Sequence, residues 1–318
     1  MSGAARATAD EVLAGVELRG TLVVVTGASG GLGAETARSL AAAGADLVLG
    51  MRDPARGAAA LAAAQAAARP GARVTAAPLD LASLASVRAF ADALLDEHER
   101  VDVLINNAGV MSPTLTRTAE GFEPDIGVNH LGHYVLTLRL AGALAAGAPA
   151  RVVNVGSRAH RSSDIVWEDP HFRARPYDKW IAYGQSKTAN SLFTVELDRR
   201  LAPRGVRAYV VFPGMIGTGL FRHLEEDDWA MLRARVPSGR IEALPVEVGA
   251  ATIVWAATAS ELDGVGGVYV EDCAISGEMR APDDPRGYMP YSMDGEAARR
   301  LWEWSERETG ERLPPERS

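Results

Sequence analysis

The fold of this chain is decided by residues 22–33, which read LVVVTGASGGLG. The apolar, β-branched run at the start is typical of a strand buried on both faces of a parallel sheet. A glycine-rich turn follows, and then an Ala-rich segment to Ala43 predicts a helix. The free N–H groups and dipole of such a helix N-terminus attract an anion, and a dinucleotide pyrophosphate is the natural occupant. The spacing Thr-Gly-x-x-x-Gly-x-Gly departs from the usual G-x-G-x-x-G, so these glycines alone also fit a turn packed closely for steric reasons.

The composition limits the classes of function. The 318 residues, 47% of them hydrophobic, can bury one large core, and strands alternate with helices throughout, which predicts one α/β domain. A net charge of −8 disfavours nucleic acid or an anionic membrane as the main partner. The single cysteine, Cys273, excludes an internal disulfide and a cysteine-built zinc site. We find no apolar run of membrane-spanning length and no signal-peptide core in residues 1–10, so we expect a cytoplasmic protein.

We divide the chain into an N-terminal extension (1–19), one domain (20–309) and a tail (310–318) that we expect to be frayed. A polar segment, 219–240, is predicted to form a mobile helical lid. After the first strand, the pattern predicts strands at 45–50, 74–79, 101–105, 152–155, 206–212 and 265–270, and helices that include 54–69, 121–146, 245–259 and 294–307.

The residues after the second strand bear on the choice of cofactor. In dinucleotide-binding folds this position lies near the adenosine ribose, where a carboxylate binds a free 2′-hydroxyl and an arginine pairs with a 2′-phosphate. Met51 and Arg52 come first here, which favours NADP over NAD. Asp53 weakens this inference, because it could serve the ribose or cap the next helix before Pro54.

Polar and small residues follow the next two strands. Asp80 could contact an adenine amino group or belong to a helix cap with Ser83. The run 106–109, Asn-Asn-Ala-Gly, would let backbone approach a ligand closely and offer donors to it. His130 and His133 match no zinc motif, and we interpret them as packing or surface residues.

Tyr183 and Lys187 are four residues apart, so they share one face of a helix. An ammonium about 4 Å from a phenol would lower the phenol pKa by up to about 3 units, less the opposing effect of burial. By itself, such a pair is also common on exposed helix surfaces.

Together these motifs closely resemble the classical short-chain dehydrogenase/reductase family. The resemblance covers roughly residues 20–275 and rests on Thr26-Gly27-x-x-x-Gly31-x-Gly33, Asn106-Asn107-Ala108-Gly109, Asn129, Ser157, Tyr183-x-x-x-Lys187 and Pro213-Gly214. Further segments look like the retinol-dehydrogenase-like branch, which includes many bacterial oxidoreductases: Gly50-Met51-Arg52-Asp53, Asn129-His130-Leu131-Gly132-His133, Arg158-Ala159-His160, residues 183–190 and Glu271-Asp272-Cys273.

The resemblance implies a Rossmann-type doubly wound parallel sheet of about seven strands, helices on both faces, and a site at the strand C-termini. Tyr183 would be the acid/base. Lys187 would lower its pKa and bind the nicotinamide ribose, Ser157 would hold the substrate oxygen, and Asn129 would position a proton-relay water. The implied cofactor-binding residues are Gly27, Ser29, Gly31, Leu32, Gly33, Arg52, Asp80, Leu81, Asn107, Ala108, Gly109, Tyr183, Lys187, Pro213, Gly214, Ile216 and Thr218.

This sequence departs from the family pattern at three points. Phe212 stands where the branch commonly has histidine, and Gly217 interrupts the usual polar stretch before Thr218. The separation of 26 residues from Ser157 to Tyr183 is long, although the branch tends to carry an insert, here 158–182. We expect Trp180 in that insert, and Met215, to contact substrate. The other aromatic residues of the insert fit a solvent loop tied to a neighbouring subunit.

The sequence therefore predicts an NADP(H)-dependent oxidoreductase that moves hydride between the nicotinamide and a carbonyl or alcohol carbon. The substrate would be a fairly apolar ketone, aldehyde or alcohol, no metal is expected, and homodimers or homotetramers are usual in the family. One alternative is a carbon–carbon double-bond reductase, which is disfavoured because no cysteine lies near Tyr183. Another is a nucleotide-binding regulatory protein without turnover.

Overall fold

Strand β1 lies at the centre of the molecule, and all five of its residues are buried. In the computed structural model, which describes residues 6–217, 224–234, 243–281 and 284–315, it belongs to an eight-stranded sheet of order β3-β2-β1-β4-β5-β6-β7-β8. The strands are β1 Leu22–Thr26, β2 Asp46–Met51, β3 Val74–Pro78, β4 Val103–Asn106, β5 Ala150–Val155, β6 Val206–Phe212, β7 Val268–Glu271 and β8 Ala274–Ser276. The strand order reverses direction between β1 and β4, and ligands bind at such a switch point in open α/β sheets.

Helices cover both faces of the sheet. They are α1 Ala9–Val12, α2 Gly31–Ala42, α3 Ala58–Ala67, α4 Leu84–Glu97, α5 Pro124–Ile126, α6 His133–Ala146, α7 Lys179–Leu201, α8 Glu226–Ala234, α9 Val246–Thr258 and α10 Gly295–Thr309. A π-helical turn, Gly127–Gly132, joins α5 to α6, so the continuous helix predicted over 121–146 is interrupted and starts at Pro124. None of the helices in the described ranges is long and apolar enough to cross a membrane.

The fold class is confirmed, with one addition to the strand count. Strands β1 to β7 pair in parallel, as predicted, whereas β8 pairs antiparallel with β7. Its hairpin turns at Asp272 and Cys273, which both have positive φ angles, 50° and 52°. Turns with positive φ angles usually contain glycine or asparagine. A three-residue strand that follows an Asp-Cys turn is therefore hard to predict from the sequence.

The unbroken apolar run of β1 reflects burial on both sides of the sheet. Val24 packs into a core that also contains residues of α4, α6, α7 and α10. Val23 and Val25 point to the opposite face and pack with residues of α2 and α9. Because successive strand residues face opposite ways, a strand between two helical layers must be apolar at every position.

The segment after α10 is held against the helices over residues 311–313. The Glu311 carboxylate lies 3.1 Å from Nε of Arg88 on α4 and 3.3 Å from Nη1 of Arg139 on α6. Leu313 packs at the edge of the core. We expected the tail to be frayed from residue 310, and over 310–315 that expectation is wrong, because these contacts hold it.

Candidate active site

A cavity of about 1350 Å³ opens at the C-terminal ends of the parallel strands. It brings together residues that are far apart in the sequence, from Arg52 and Asp80 to Tyr183 and Trp180. The residues named above for the cofactor that line it are Gly27, Ser29, Gly31, Leu32, Gly33, Arg52, Asp80, Leu81, Asn107, Ala108, Gly109, Tyr183, Lys187, Pro213, Gly214 and Ile216. Ser157 and Met215 also line it. Thr218 lies outside the described residues.

The glycine turn between β1 and α2 is both tightly packed and open. Gly27 has φ +69°, and a Cβ there would lie 2.7 Å from Cα of Ala108. A Cβ on Gly33 would lie 2.5 Å from the carbonyl oxygen of Gly27. The steric interpretation of these glycines is therefore correct for these two positions.

The same turn also leaves room for an anion. Nothing lies within 4 Å of the position that a Cβ on Gly30 would take, and Gly30 offers no side-chain acceptor to the N-terminus of α2. The first N–H groups of a helix need acceptors from outside the helix. An open cradle beside uncapped N–H groups fits a pyrophosphate.

The choice between the two interpretations of Asp53 is decided by its contacts. Its Oδ1 accepts hydrogen bonds from the backbone N–H groups of Ala55 and Arg56, at 3.0 and 3.1 Å, so Asp53 caps the turn before α3. Arg52 lines the cavity, and no ion pair of Arg52 is found among the described residues. Its guanidinium is thus available to an anionic ligand.

Thr26 fixes the loop that follows β4. Its Oγ1 accepts hydrogen bonds from the N–H groups of Asn107 and Ala108, both at 3.0 Å. Oγ1 also lies 2.8 Å from Nε2 of His133, whose Nδ1 lies 3.0 Å from the carbonyl oxygen of Asn129. Since that carbonyl can only accept, Nδ1 carries the proton and Thr26 donates to Nε2. Burial lowers the pKa of His133 to about 4, which keeps this ring neutral.

Asn129 sits on the π-helical turn, fully buried, and does not line the cavity. Its Oδ1 accepts from the N–H of Val110 at 2.8 Å, and its Nδ2 donates to the Val110 carbonyl and to Oγ of Ser186, both at 2.9 Å. The side chain therefore holds the loop after β4 against α7. Its role toward a proton-relay water stays a prediction.

Tyr183 and Lys187 are buried, 5% and 3% exposed, so the alternative of a surface pair does not apply. The Lys187 Nζ lies 5.6 Å from the centroid of the Tyr183 ring and donates to the Val155 carbonyl at 2.9 Å. Burial lowers the pKa of Lys187 to about 8, opposed by the charge of Asp125.

The pKa of Tyr183 is raised, because burial of the phenolate outweighs the lowering effect of the adjacent Ser157 hydroxyl. We expected Lys187 to lower that pKa, and in this structure desolvation dominates instead. The phenol is therefore neutral near pH 7, which is the form that donates a proton.

A buried acidic pair beside the site escaped the sequence analysis. Glu123 and Asp125 are both fully buried. Oδ1 of Asp125 accepts from the N–H of Ser112 at 2.9 Å, while its buried Oδ2 has no hydrogen-bond partner among the described residues. Burial first, and then the charge of Glu123, raise the pKa of Asp125 to about 8. Glu-Pro-Asp before a helix is typical of a cap, and Glu123 does cap α5, so the pattern gave no sign of a buried pair.

The far end of the cavity is partly apolar. Trp180, on the first turn of α7, and Met215 line it, as do Trp229 and Leu232 of α8. Oδ2 of Asp228 lies 2.6 Å from Nζ of Lys179, which ties α8 to the N-terminus of α7. Of the predicted lid segment 219–240, the structure describes 224–234. Lining residues that were not predicted include Arg158, Arg161, Phe212, Asp284 and Pro285. Arg158, next to Ser157, and Phe212, next to Pro213, are neighbours in the sequence of predicted site residues.

His130 and His133 are packing residues, as interpreted. Both are buried, and Nε2 of His130 lies 2.7 Å from Oγ of Ser305. Its ring contacts those of Phe193 and Trp304. Within the ranges that the structure describes, no group of three or more His, Cys, Asp or Glu side chains is arranged to hold a metal ion.

Comparison with known proteins adds to this geometry. The family model described as short chain dehydrogenase matches residues 21–229. A "Probable oxidoreductase" of Streptomyces lividans is 43% identical over 298 residues, 91% of this chain and 97% of that protein. Human "Retinol dehydrogenase 14" is 39% identical over 301 residues, 91% of this chain and 86% of that protein.

Solved structures agree with these sequence matches. A crystal structure of a protein from Mycobacterium paratuberculosis has a TM-score of 0.74 and 36% identity, and the match covers 95% of this chain and 98% of that one. A short chain dehydrogenase from Burkholderia cenocepacia in complex with NADP has a TM-score of 0.64 and 26% identity. This match covers 80% of this chain and 97% of that one.

Proposed function

This chain belongs to the short-chain dehydrogenase/reductase family, in its retinol-dehydrogenase-like branch, and we propose that it is an NADP(H)-dependent oxidoreductase with Tyr183 as acid/base. Its reaction would interconvert a carbonyl and an alcohol on a fairly apolar ketone, aldehyde or alcohol. One observation carries the proposal: a single cavity joins the open glycine cradle to the buried Tyr183 and Lys187 and to Ser157.

The residues fit a bound dinucleotide. The uncapped N-terminus of α2 would hold the pyrophosphate, and the loop at Asn107 and Ala108 would line the cofactor site. When bound, NADPH supplies the hydride. For NADP over NAD, the support is the unpaired Arg52 next to an Asp53 that caps its own turn.

The protein side chains would handle the proton and the charge. Tyr183, a neutral phenol, donates a proton to the substrate oxygen as that oxygen gains negative charge. Ser157 donates a hydrogen bond to the same oxygen, and the Lys187 ammonium stabilises the phenolate that Tyr183 becomes. Lys187 is held in place by its hydrogen bond to the Val155 carbonyl.

The apolar wall supports the substrate class. Trp180, Met215 and Leu232 of α8 line the same cavity as Tyr183. The alternative of a double-bond reductase gains no support, since Cys273 does not line the cavity and lies against Thr252. The division into extension, domain and tail, the cytoplasmic location and the dimer or tetramer stay predictions.

The test is direct binding followed by turnover. We expect the purified protein to bind NADPH more tightly than NADH, and to oxidise NADPH with at least one member of a panel of aromatic ketones, polycyclic ketones and long-chain aldehydes. Binding without oxidation across the whole panel would favour the regulatory alternative. Failure to bind either nucleotide would overturn the proposal.

A further inference from the structure

We propose that the substrate of this site carries a carboxylate and that Arg158 binds it. The inference rests on the proposed carbonyl–alcohol reaction and narrows its substrate to an oxo acid, or the matching hydroxy acid, with an apolar body.

Arg158 is placed to reach a ligand that is held at Ser157. It follows Ser157 directly and lines the same cavity. The guanidinium carbon lies 4.6 Å from the centroid of the Phe212 ring, so one face of the guanidinium is supported by an aromatic surface.

Most of the hydrogen-bonding capacity of Arg158 is unused. Among the described residues its one hydrogen bond is a long one, 3.4 Å from Nη2 to Oε2 of Glu271, and its buried Nε has no partner. The side chain is 38% exposed in a molecule without ligand. A guanidinium has five N–H donors, so several remain for a ligand.

The ion pair with Glu271 uses only one of the donor atoms of Arg158. Oε1 of that buried carboxylate accepts from Oγ of Ser276 at 2.6 Å and from the N–H of Gly287 at 2.7 Å. Arg286 also pairs with Oε1, at 3.7 Å. Among the described residues Arg158 is the partner of Oε2, through Nη2 alone, which leaves Nε and Nη1 for a ligand.

A second arginine lies close to Arg158 in the cavity wall. Arg161 also lines the cavity, and its guanidinium donates to the carbonyls of Asp284 and Gly287, at 2.9 and 2.7 Å, which leaves its charge uncompensated by these bonds. Burial and the charge of Arg158 hold the pKa of Arg161 below its ordinary value. The Asp284 carboxylate accepts from backbone N–H groups of its own loop, at Arg280 and Arg286.

A carboxylate is the anion that fits this wall. A planar guanidinium matches a planar carboxylate with two parallel hydrogen bonds, and a compact body of aromatic or aliphatic character would lie against Trp180, Met215 and Leu232. The pyrophosphate cradle at Gly30 and the Arg52 position already account for the cofactor's own anions.

The first experiment measures binding and does not need turnover. With NADP present, tryptophan fluorescence titrations compare 4-phenylbutyrate with 4-phenylbutanamide, which has the same shape without the charge; neither contains an alcohol or ketone that the enzyme could convert. We expect the acid to bind at least about tenfold more tightly, as for a charge-assisted hydrogen bond. Equal affinity, or tighter binding of the amide, would overturn the inference.

The second experiment uses turnover and matched variants. We expect aryl oxo acids such as 4-oxo-4-phenylbutanoate to be reduced with a higher kcat/KM than their methyl esters. In Arg158→Met the kcat/KM of the acid should fall far more than that of the ester, through a higher KM. Arg158→Lys should keep part of the preference for the acid. Arg69→Met removes the same charge from a surface pair with Glu17 and should leave the preference unchanged.

Two results separate this inference from the proposed function. A preference for the acid that survives in Arg158→Met would overturn the role of Arg158. Selective binding of 4-phenylbutyrate without reduction of any carbonyl would instead contradict the proposed reaction and leave the carboxylate site standing. In every variant the NADPH affinity is measured, because a loss there in Arg158→Met would assign the residue to the cofactor.

Discussion

The hydroxyl of Thr26 lies 2.8 Å from Nε2 of His133, although the two residues are 107 positions apart in the chain. Thr26 ends β1, and His133 begins α6 immediately after the turn that carries Asn129. The contact therefore joins the strand before the glycine turn to the helix beside Tyr183 and Lys187. The same hydroxyl accepts from Asn107 and Ala108, so one side chain sets the positions of three segments around the cavity.

Replacing the Thr26 hydroxyl should lower the stability of the protein and weaken cofactor binding. In Thr26→Val the N–H groups of Asn107 and Ala108 and the His133 ring lose their partner inside the protein, which costs about 1–3 kcal/mol for a buried group. We expect a lower urea midpoint and several-fold weaker NADPH binding. Thr26→Ser keeps the hydroxyl, so its urea midpoint and its NADPH affinity should stay close to those of the original protein. A Val variant that binds NADPH as tightly as the Ser variant would show that the hydroxyl does not position the loop.

The buried Asp125 predicts a particular dependence of stability on pH. Its pKa of about 8 in the folded protein exceeds the usual value of 3.8, so between these values the folded state binds more protons than the unfolded state. Its contribution to the free energy of unfolding is then present at low pH and is lost as the pH rises toward about 8. Asp125→Asn, which resembles the protonated form, removes this loss.

Urea unfolding of both proteins over that pH range tests the point. We expect the stability of Asp125→Asn relative to the original chain to increase with pH, by up to about 1.4 kcal/mol per pH unit. Asp96→Asn serves as a control, because it makes the same substitution at an exposed position of α4. A stability difference that is constant over this range would mean that Asp125 is ionised in the folded protein.

Arg52 predicts the preference between the two nicotinamide cofactors. Charge-assisted hydrogen bonds to a phosphate contribute about 1.5–3 kcal/mol, so Arg52→Ala should weaken NADPH binding roughly tenfold or more. NADH lacks the 2′-phosphate and should be affected about twofold at most. Arg56→Ala is the matched control, since Arg56 is 83% exposed and does not line the cavity. Equal losses for NADPH and NADH in Arg52→Ala would assign Arg52 a structural role.

The architecture could be predicted from the sequence because a strand that is buried on both faces forms a recognisable apolar run. Residues 22–25 of β1, between two helical layers, are all apolar, and the turn glycines report backbone contacts that admit no Cβ, as at Gly27 and Gly33. The short strand β8 has no such run in the sequence. Its turn uses Asp272 and Cys273 at positive φ, where the usual signals are glycine and asparagine.

Site residues that follow strand ends could be predicted from the sequence. Properties that depend on long-range packing, such as a pKa or the burial of a carboxylate, could not. Tyr183, Lys187 and Ser157 line one cavity, as the family resemblance implied. The direction of the Tyr183 pKa was not predictable, because it depends on how completely α7 is buried and not on the distance to Lys187. The buried state of Asp125 depends likewise on the packing of α5 under the loop at Ser112, which no local pattern encodes.

The central claim is that Tyr183 exchanges the proton with the substrate oxygen, and Tyr183→Phe tests it most directly. The measurement is the rate of NADPH oxidation with a reducible ketone, together with the affinity for NADPH, in the variant and the original protein. We predict that the variant binds NADPH with an affinity within a few-fold of the original and loses at least about a hundredfold in kcat, as expected for removal of a general acid. A variant that binds NADPH and turns over at a near-normal rate would contradict the account.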